Sequence, residues 1–304
     1  MNSVLVLGSI NKDIIVTTAR APKPGETLLG RCAVTGPGGK GANQAVASSR
    51  LGAKVQMFGA VGSDADGDAM LTALSLEGVD VSCVARGGAQ TGSAILTVTD
   101  DGENSIIVVP GANNLVGHHQ VEQLEAAIRA GDILVAQLEV PLTTVADALG
   151  IAKGRGARTI LNAAPAQDIT ALLPHVDVLV VNETEASLLW GAAIKDVDDA
   201  RRAATDFVRE HEVASIITLG GSGAVLADNE GAQFVPAHVV NVVDTTGAGD
   251  TFVGALATFL AEGMELSHAV NVAARAGAAT CTALGAQASM PDRDSVLTGG
   301  PSER

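Results

Sequence analysis

The chain has 304 residues, of which 47% are hydrophobic, so it is long enough for one large α/β domain or two smaller ones. A formal charge of −15 and an aromatic content of 2% argue against nucleic-acid and anionic-membrane partners. The three cysteines are widely separated and odd in number, which predicts free thiols in the cytoplasm and no zinc cluster or disulfide framework. We expect neither export nor a membrane span, because no signal-peptide pattern and no run of about 18 apolar residues occurs.

Short apolar runs and alanine-rich amphipathic stretches alternate along the chain. The apolar runs, each typical of a buried strand, lie at residues 4–8, 55–61, 133–138, 159–162, 176–181 and 215–219. The stretches between them, typical of helices, include residues 42–51, 67–76, 119–130, 143–153 and 199–210. This alternation predicts the α/β class, with an open, mostly parallel sheet flanked by helices on both faces.

Two regions, residues 12–35 and 90–110, break the alternation. The second contains β-rich runs at residues 94–98 and 105–109 around Asp101-Gly102, a pair that favours a hairpin turn. We expect both regions to supply inserted strands of a small β-sheet lid on a single domain that spans residues 1–304.

A first glycine cluster, residues 36–43, formally matches G-x-G-x-x-G. The context argues against a dinucleotide site, since the cluster follows a polar segment instead of the first strand of a βαβ unit. A phosphate-binding P-loop is excluded because Gly41, and not Ser or Thr, follows Lys40. The cluster is a hinge between lid and body, a place where backbone approaches a ligand with Lys40 and Asn43 as hydrogen-bonding side chains, or both at once.

A second glycine cluster, residues 244–252, opens an apolar helix predicted over residues 252–260. Glycines at a helix start expose amide groups that bind anions and stabilise a transferring phosphoryl group. Asp250 stands there as a candidate base that takes a proton from a substrate hydroxyl. The alternative is that Asp250 only caps the helix.

Polar residues also follow several other predicted strands, at the edge where α/β sheets bind ligands. Residues 182–185 form either an ordinary acidic helix start or part of a site. Residues 218–223 form either a tight turn or a loop along which a flat nucleotide lies. Asn11, Asp13 and Glu139 suit a polyol, whose hydroxyls both donate and accept hydrogen bonds. The six histidines lack metal-ligand spacing and are expected on the surface.

These motifs, in this order, resemble the ribokinase-type carbohydrate kinase family from Val4 to Pro291. The resemblance implies transfer of a phosphoryl group from ATP to the 5-hydroxyl of D-ribose, with Asp250 as catalytic base. It implies an anion hole formed by Gly247, Ala248 and Gly249. The family's sugar-binding positions match Asn11, Asp13, Gly38, Gly39, Lys40, Asn43, Glu139 and Asp250. Its nucleotide-binding positions match Asn182, Thr218, Leu219, Gly220, Gly221, Ser222, Gly223 and Gly249.

The resemblance also implies two cations and a subunit partner. Glu185 matches the carboxylate that helps to place Mg²⁺ through water. The positions of the family's K⁺ site match Asp244, Thr246, Thr280, Ala283, Gly285 and Ser289. Pairing of exposed lid strands between subunits implies a homodimer. Three alternatives stay open: a kinase of 2-deoxyribose, a kinase of a nucleoside such as adenosine, and a sugar-binding sensor without catalysis.

Overall fold

The computed structural model describes residues 2–100 and 104–298. The strands are β1 (Val4–Leu7), β2 (Asn11–Thr18), β3 (Cys32–Gly38), β4 (Val55–Gly62), β5 (Asp80–Gly87), β6 (Gly92–Thr99), β7 (Asn104–Val109), β8 (Ile133–Ala136), β9 (Arg158–Asn162), β10 (Val178–Asn182), β11 (Ala214–Thr218), β12 (Gly223–Asp228) and β13 (Gly231–Pro236). The α-helices are α1 (Lys40–Arg50), α2 (Ala65–Leu76), α3 (His118–Ala127), α4 (Leu142–Gly154), α5 (Glu183–Trp190), α6 (Val197–His211), α7 (Ala248–Ala261), α8 (Leu266–Thr280), α9 (Ala286–Ser289) and α10 (Arg293–Thr298).

The main sheet has the strand order β13-β12-β11-β10-β9-β8-β1-β4-β5. Strands β11 through β5 in this order are parallel to their neighbours, and β12 and β13 add an antiparallel edge. The predicted open, mostly parallel sheet is therefore confirmed.

Helices cover both faces of this sheet, which explains why its strands are apolar at successive positions. In β1, Val4 and Val6 pack into the core on one face, and Leu5 and Leu7 pack into the core on the other. Side chains alternate between the faces of a strand, so a strand covered on both sides has no solvent-facing positions. Helices α1, α7 and α8 contribute to the first core, and α3, α4 and α6 contribute to the second.

The second sheet, which we call the lid sheet, has the strand order β3-β2-β6-β7. Strand β2 pairs antiparallel with β3 and parallel with β6, and β6 pairs antiparallel with β7. Lys12 of β2 forms an ion pair with Asp66 of α2 at 2.7 Å, which ties the lid sheet to the main body. The turn predicted at Asp101-Gly102 lies outside the described residues.

Several elements differ from the sequence-based expectation. Strand β5 was not predicted, because it is an edge strand whose polar, half-exposed residues lack a continuous apolar run. The strand predicted over residues 133–138 ends at Ala136, and α7 begins at Ala248, four residues before its predicted start. No helix in the described part of the chain is long and apolar enough to span a membrane.

Candidate active site

The residues singled out in the sequence converge where the carboxyl ends of the parallel strands meet the lid sheet. Asn11 opens β2 just beyond β1, and Glu139 follows β8. Asn182 ends β10 and Thr218 ends β11. The order of the parallel strands therefore brings residues that are far apart in sequence to one edge of the sheet.

The first glycine cluster joins β3 directly to α1. A Cβ atom at Gly38 would lie 2.1 Å from Asp13 Oδ2, and one at Gly39 would lie 2.7 Å from the Asn11 nitrogen. Gly39 also has a φ of 89°, which L side chains rarely adopt. The glycines thus let the helix start approach β2 closely at the junction between lid and body. The cluster follows a lid strand antiparallel to β2, so the dinucleotide-binding arrangement is not formed.

Asp13 presents a half-buried carboxylate to this junction. Its Oδ1 atom is buried and has no hydrogen-bond donor among the described residues. Burial, reinforced by the nearby charges of Glu139 and Asp250, raises the pKa of Asp13 to about 7. A carboxylate oxygen without a donor in such a place is suited to accept a hydrogen bond from a ligand's hydroxyl group.

Asn11 is buried and held by Asn113, a residue that the sequence analysis missed. The Asn113 Nδ2 atom donates to Asn11 Oδ1 at 2.7 Å, while Asn113 Oδ1 accepts from the Ile10 nitrogen at 2.9 Å. This contact orients the Asn11 amide so that its NH₂ group remains for a further acceptor. Nothing around Asn113 in the sequence marks it, since it lies in a short 3₁₀ helix after the lid strands.

Lys40 is the first residue of α1, and Glu139, which follows β8, contacts this start of the helix. Glu139 Oε2 accepts from Ser9 Oγ at 2.5 Å and from the Lys40 backbone nitrogen at 3.2 Å. Burial acts to lower the pKa of the Lys40 ammonium, but the carboxylates of Asp250, Glu139 and Glu185 outweigh burial and raise it. Lys40 therefore stays charged in the middle of the acidic side chains.

The second glycine cluster forms the N-terminus of α7. Gly247 is the N-cap residue with a φ of 80°, and a Cβ atom there would lie 2.9 Å from Ala286 Cα. The Ala248 amide donates to Thr245 O at 3.2 Å, whereas the amides of Gly249 and Asp250 have no backbone acceptor in the described part of the chain. These two amides lie at the positive end of the helix dipole, where they are available to an anion. The Gly249 amide belongs to the predicted anion hole of Gly247, Ala248 and Gly249, and the Asp250 amide extends it.

Asp250 is the third residue of α7 and does not cap the helix, so the capping alternative is wrong. Its Oδ2 atom accepts from Asn43 Nδ2 at 2.9 Å and its Oδ1 atom from Gln44 Nε2 at 3.0 Å. Burial raises the pKa of Asp250, and the charge of Lys40 and the two amide donors oppose that rise. The site thus holds a partly buried carboxylate between an ammonium group and two fixed donors.

Asn182 and Glu185 form a capping box at the start of α5. Asn182 Oδ1 accepts from the Glu185 nitrogen at 2.8 Å, and Glu185 Oε2 accepts from the Asn182 nitrogen at 2.9 Å. Burial raises the pKa of Glu185, while the Asn182 backbone amide and then Lys40 lower it. The helix-start interpretation therefore describes both residues, and a ligand role stays a prediction.

A cleft of about 370 Å³ opens beside the α7 N-terminus. Its lining includes Thr218, Gly220, Gly221 and Gly223, together with Ala248 and Gly249 of α7. The predicted loop is also a tight turn, because residues 220–222 connect the antiparallel strands β11 and β12. Leu219, Ser222 and Asn182 belong to the same strand ends but do not line the cleft, and Leu219 is buried.

Much of the cleft wall was not predicted. It includes residues 237–240, Val242 and Cys281, and the small residues Ala274, Gly277 and Ala278 of α8. The spacing of small residues along α8 was the available signal, but such spacing is equally typical of helix packing. His238, expected on the surface, lines this wall, and burial followed by the charge of Arg275 lowers its pKa.

Four of the six residues matched to a monovalent-cation site are adjacent. Asp244 Oδ1 accepts from the Thr246 nitrogen at 2.9 Å, and Asp244 Oδ2 accepts from the Gly285 nitrogen at 2.9 Å. Ser289 Oγ donates to Gly285 O at 2.5 Å. The other two make none of these contacts. The Thr280 hydroxyl is hydrogen-bonded to the Thr251 hydroxyl between α8 and α7, and Ala283 lies in an exposed turn.

We compared the chain with known families, sequences and structures. A family model described as pfkB family carbohydrate kinase matches residues 1–293. Ribokinase of Haemophilus influenzae is 40% identical over 297 residues, 97% of each chain, and deoxyribokinase of Salmonella typhi is 34% identical over 291 residues, 95% of each chain. The structure of Arabidopsis thaliana ribokinase complexed with ribose and ATP superimposes with a TM-score of 0.88 and 33% identity, covering 98% of both chains. The resemblance stated from the motifs is confirmed, and the chain belongs to the pfkB family of carbohydrate kinases.

Proposed function

We propose that the chain transfers the γ-phosphate of ATP to the 5-hydroxyl of D-ribose, giving D-ribose 5-phosphate and ADP. The observation that carries the proposal is the position of Asp250, whose carboxylate lies between the polar groups at the lid junction and the cleft beside α7. The similarity to proteins named ribokinase, one of them solved with ribose and ATP, supports both substrates.

The arrangement of the site suggests how the transfer proceeds. The 5-hydroxyl oxygen attacks the γ-phosphorus in line with the departing ADP, and its proton passes to Asp250. The amides of Gly249 and Asp250 and the ammonium group of Lys40 stabilise the charge on the phosphoryl oxygens. Asn11, Asp13 and Glu139 hold the remaining sugar hydroxyls, while the lid sheet excludes water that would otherwise hydrolyse ATP.

Glu185 is the residue that we propose helps to hold Mg²⁺. Magnesium keeps several water ligands and binds to substrate phosphates together with one or two carboxylates. Glu185 fits this chemistry, because its carboxylate is buried and lies close to the charges of Lys40 and Asp250. The ion neutralises charge on the phosphates of ATP when it is bound.

We also propose activation by K⁺ at the loop that Asp244 organises. The Thr246 hydroxyl and the backbone amides of Thr246 and Gly285 donate to the Asp244 carboxylate, and together they outweigh its burial and lower its pKa. The carboxylate is therefore ionised in a loop that also carries backbone carbonyl oxygens. Oxygen donors of this type suit a large, weakly hydrated cation.

Replacing K⁺ by an organic cation of equal ionic strength should reduce turnover several-fold, because the loop carrying Gly247 lies next to this site. The measurement is the rate of ADP formation with saturating ribose and ATP. Asp244→Ala should be slow in both buffers, and equal wild-type rates in the two buffers would contradict K⁺ activation.

The identity of the sugar is tested by ADP release from Mg-ATP with D-ribose, 2-deoxyribose, fructose, fructose 6-phosphate and adenosine. We expect D-ribose to give the highest kcat/KM, since a site built to bind a 2,3-diol discriminates against analogues that lack a hydroxyl. The Asp250→Ala protein serves as the blank.

A second candidate is a 2-deoxyribose kinase, which the similarity to a protein named deoxyribokinase favours. Higher kcat/KM for 2-deoxyribose would establish it and leave the mechanism unchanged. Ribose binding without turnover of any compound would support the sensor alternative, and preference for adenosine would indicate a nucleoside kinase.

We further propose that the chain is a single domain that forms a homodimer through the lid sheet. Ile106 and Ile107 of β7 are 57% and 64% exposed, and Val34 of β3 is 55% exposed. Apolar strands left open in this way require cover from another chain. Sedimentation equilibrium should give twice the chain mass, and a monomer at micromolar concentration would contradict the dimer.

The cytoplasmic location stays a prediction.

A further inference from the structure

Gln44 lies directly behind Asp250 and is fully buried on α1. Its Nε2 atom donates to Asp250 Oδ1 at 3.0 Å and to Asn162 Oδ1 at 3.0 Å. Its Oε1 atom accepts from Gln137 Nε2 at 2.6 Å. Because Gln44 has no exposed surface, it is not placed to contact a sugar or a nucleotide itself.

The backbone carbonyl group of Val180 determines which atom of each side-chain amide donates and which accepts. Asn162 Nδ2 donates to Val180 O at 3.2 Å, and since a carbonyl oxygen only accepts, Asn162 must present its oxygen to Gln44. Gln44 must then present its NH₂ group to Asn162, and the same group faces Asp250. Gln137 completes the alignment by donating to Gln44 Oε1, although its own Oε1 is buried without a donor among the described residues.

We propose that Gln44 is a positioning residue for the catalytic base, and that Asn162 fixes its orientation. Asn43 holds one oxygen of Asp250 and Gln44 holds the other, so two neighbouring residues of α1 set the plane of the carboxylate. This inference rests on the proposed function, in which Asp250 takes the proton of the attacking hydroxyl. Alignment of the base matters because proton transfer requires it within hydrogen-bond reach of the hydroxyl.

Gln44 also influences the charge of the base. The titratable groups that face Asp250 are Lys40 on α1, Glu139 after β8, Asp13 on β2 and Glu185 on α5. Burial and Glu139 favour the protonated form, whereas Lys40 and the two amide donors favour the carboxylate. Removal of the Gln44 donor therefore moves the pKa of Asp250 further upward.

The test compares Gln44→Met, which keeps the side-chain length but removes the donor, with Gln120→Met. Gln120 is the matched control because it is also buried and its Oε1 accepts from the Gly117 nitrogen at 2.9 Å, in the capping box of α3. We expect Gln44→Met to lower kcat about 10- to 100-fold, the range for loss of a hydrogen bond to a charged group, with little change in the KM for ribose.

The pH profile separates positioning from a general loss of structure. In Gln44→Met the acidic limb of kcat should move to higher pH by about one unit, since about 1.4 kcal/mol of lost stabilisation of the carboxylate corresponds to one pKa unit. Gln120→Met should keep the wild-type limb even where its thermal stability falls. Asn162→Leu leaves the Gln44 donor in place but removes the acceptor that orients it. This variant should lower kcat and move the acidic limb to higher pH, in both cases by less than Gln44→Met.

Three results would overturn the inference: an unshifted acidic limb in Gln44→Met, a KM that rises as much as kcat falls, or a wild-type profile in Asn162→Leu. If Gln44→Met does not fold, the pH profile of Asn162→Leu alone decides whether the inference holds. Absence of ribose-dependent ADP formation by the wild-type protein would instead refute the proposed function, so the two failures are distinguishable.

Discussion

Asp250→Ala is expected to lower turnover by about 10²- to 10⁴-fold while the affinity for ribose changes little. General-base catalysis contributes a factor of this size, and it acts in the transition state more than in the ground state. The measurement combines kcat from ADP release with the ribose dissociation constant from calorimetry. Asp250→Asn, which keeps the shape of the side chain, should be comparably slow because an amide does not accept the proton.

The matched control is Asp198→Ala, since Asp198 is exposed on α6 and paired with Arg201. We expect this variant to have wild-type kinetics, because it lies outside the site. If Asp250→Ala instead lost ribose binding in proportion to turnover, Asp250 would be a sugar anchor and another group would have to act as the base.

Asp13→Ala should weaken ribose binding on the order of 10²-fold, with a smaller effect on kcat at saturating sugar. A hydrogen bond to a charged group contributes about 1.5–3 kcal/mol, and loss of the carboxylate leaves the hydroxyls of the bound sugar unpaired in a buried place. The structure explains why we expect this large loss of affinity, because Asp13 Oδ1 has no donor within the described residues and is left for the sugar. Unchanged ribose affinity in calorimetry would remove Asp13 from the sugar site.

The affinity of the wild-type protein for ribose should fall as the pH is lowered through about 7. The pKa of Asp13 is raised to about 7, so the carboxylate that accepts sugar hydroxyls is present above this pH and is protonated below it. Calorimetric titrations between pH 5.5 and 8.5 measure the effect. Asp13→Asn should bind weakly at every pH, and a wild-type affinity that is constant over the range would contradict the assignment.

Local patterns were sufficient for much of the fold and for the family. Continuous apolar runs between amphipathic stretches predicted the parallel sheet, because strands covered by helices on both faces bury every side chain. The second glycine cluster predicted a helix N-terminus, and the structure has one at Gly247. The first cluster lies where the start of α1 comes close to β2, and its approach to a ligand stays a prediction. Such features depend on a few consecutive residues, which a sequence displays directly.

Edge strands, part of the cleft lining and the hydrogen-bond partners of site residues could not be predicted from local sequence patterns. Strand β5 has no apolar run because one of its sides is the sheet edge, and the α8 wall of the cleft has the small residues of any closely packed helix. Asn113 and Gln44 carry no local mark, since buried amides in short polar stretches occur in many loops and helices.

The sequence by itself therefore determined the α/β class, the family and the identity of Asp250 as the candidate base. Only the tertiary structure decided which groups act on that carboxylate. Asn43 and Gln44 are 207 and 206 residues away in sequence, and α1 meets α7 through the packing of both helices on one face of the sheet. Periodicity and turn chemistry are local properties, whereas the surroundings of a buried charge depend on the order of strands and on helix packing.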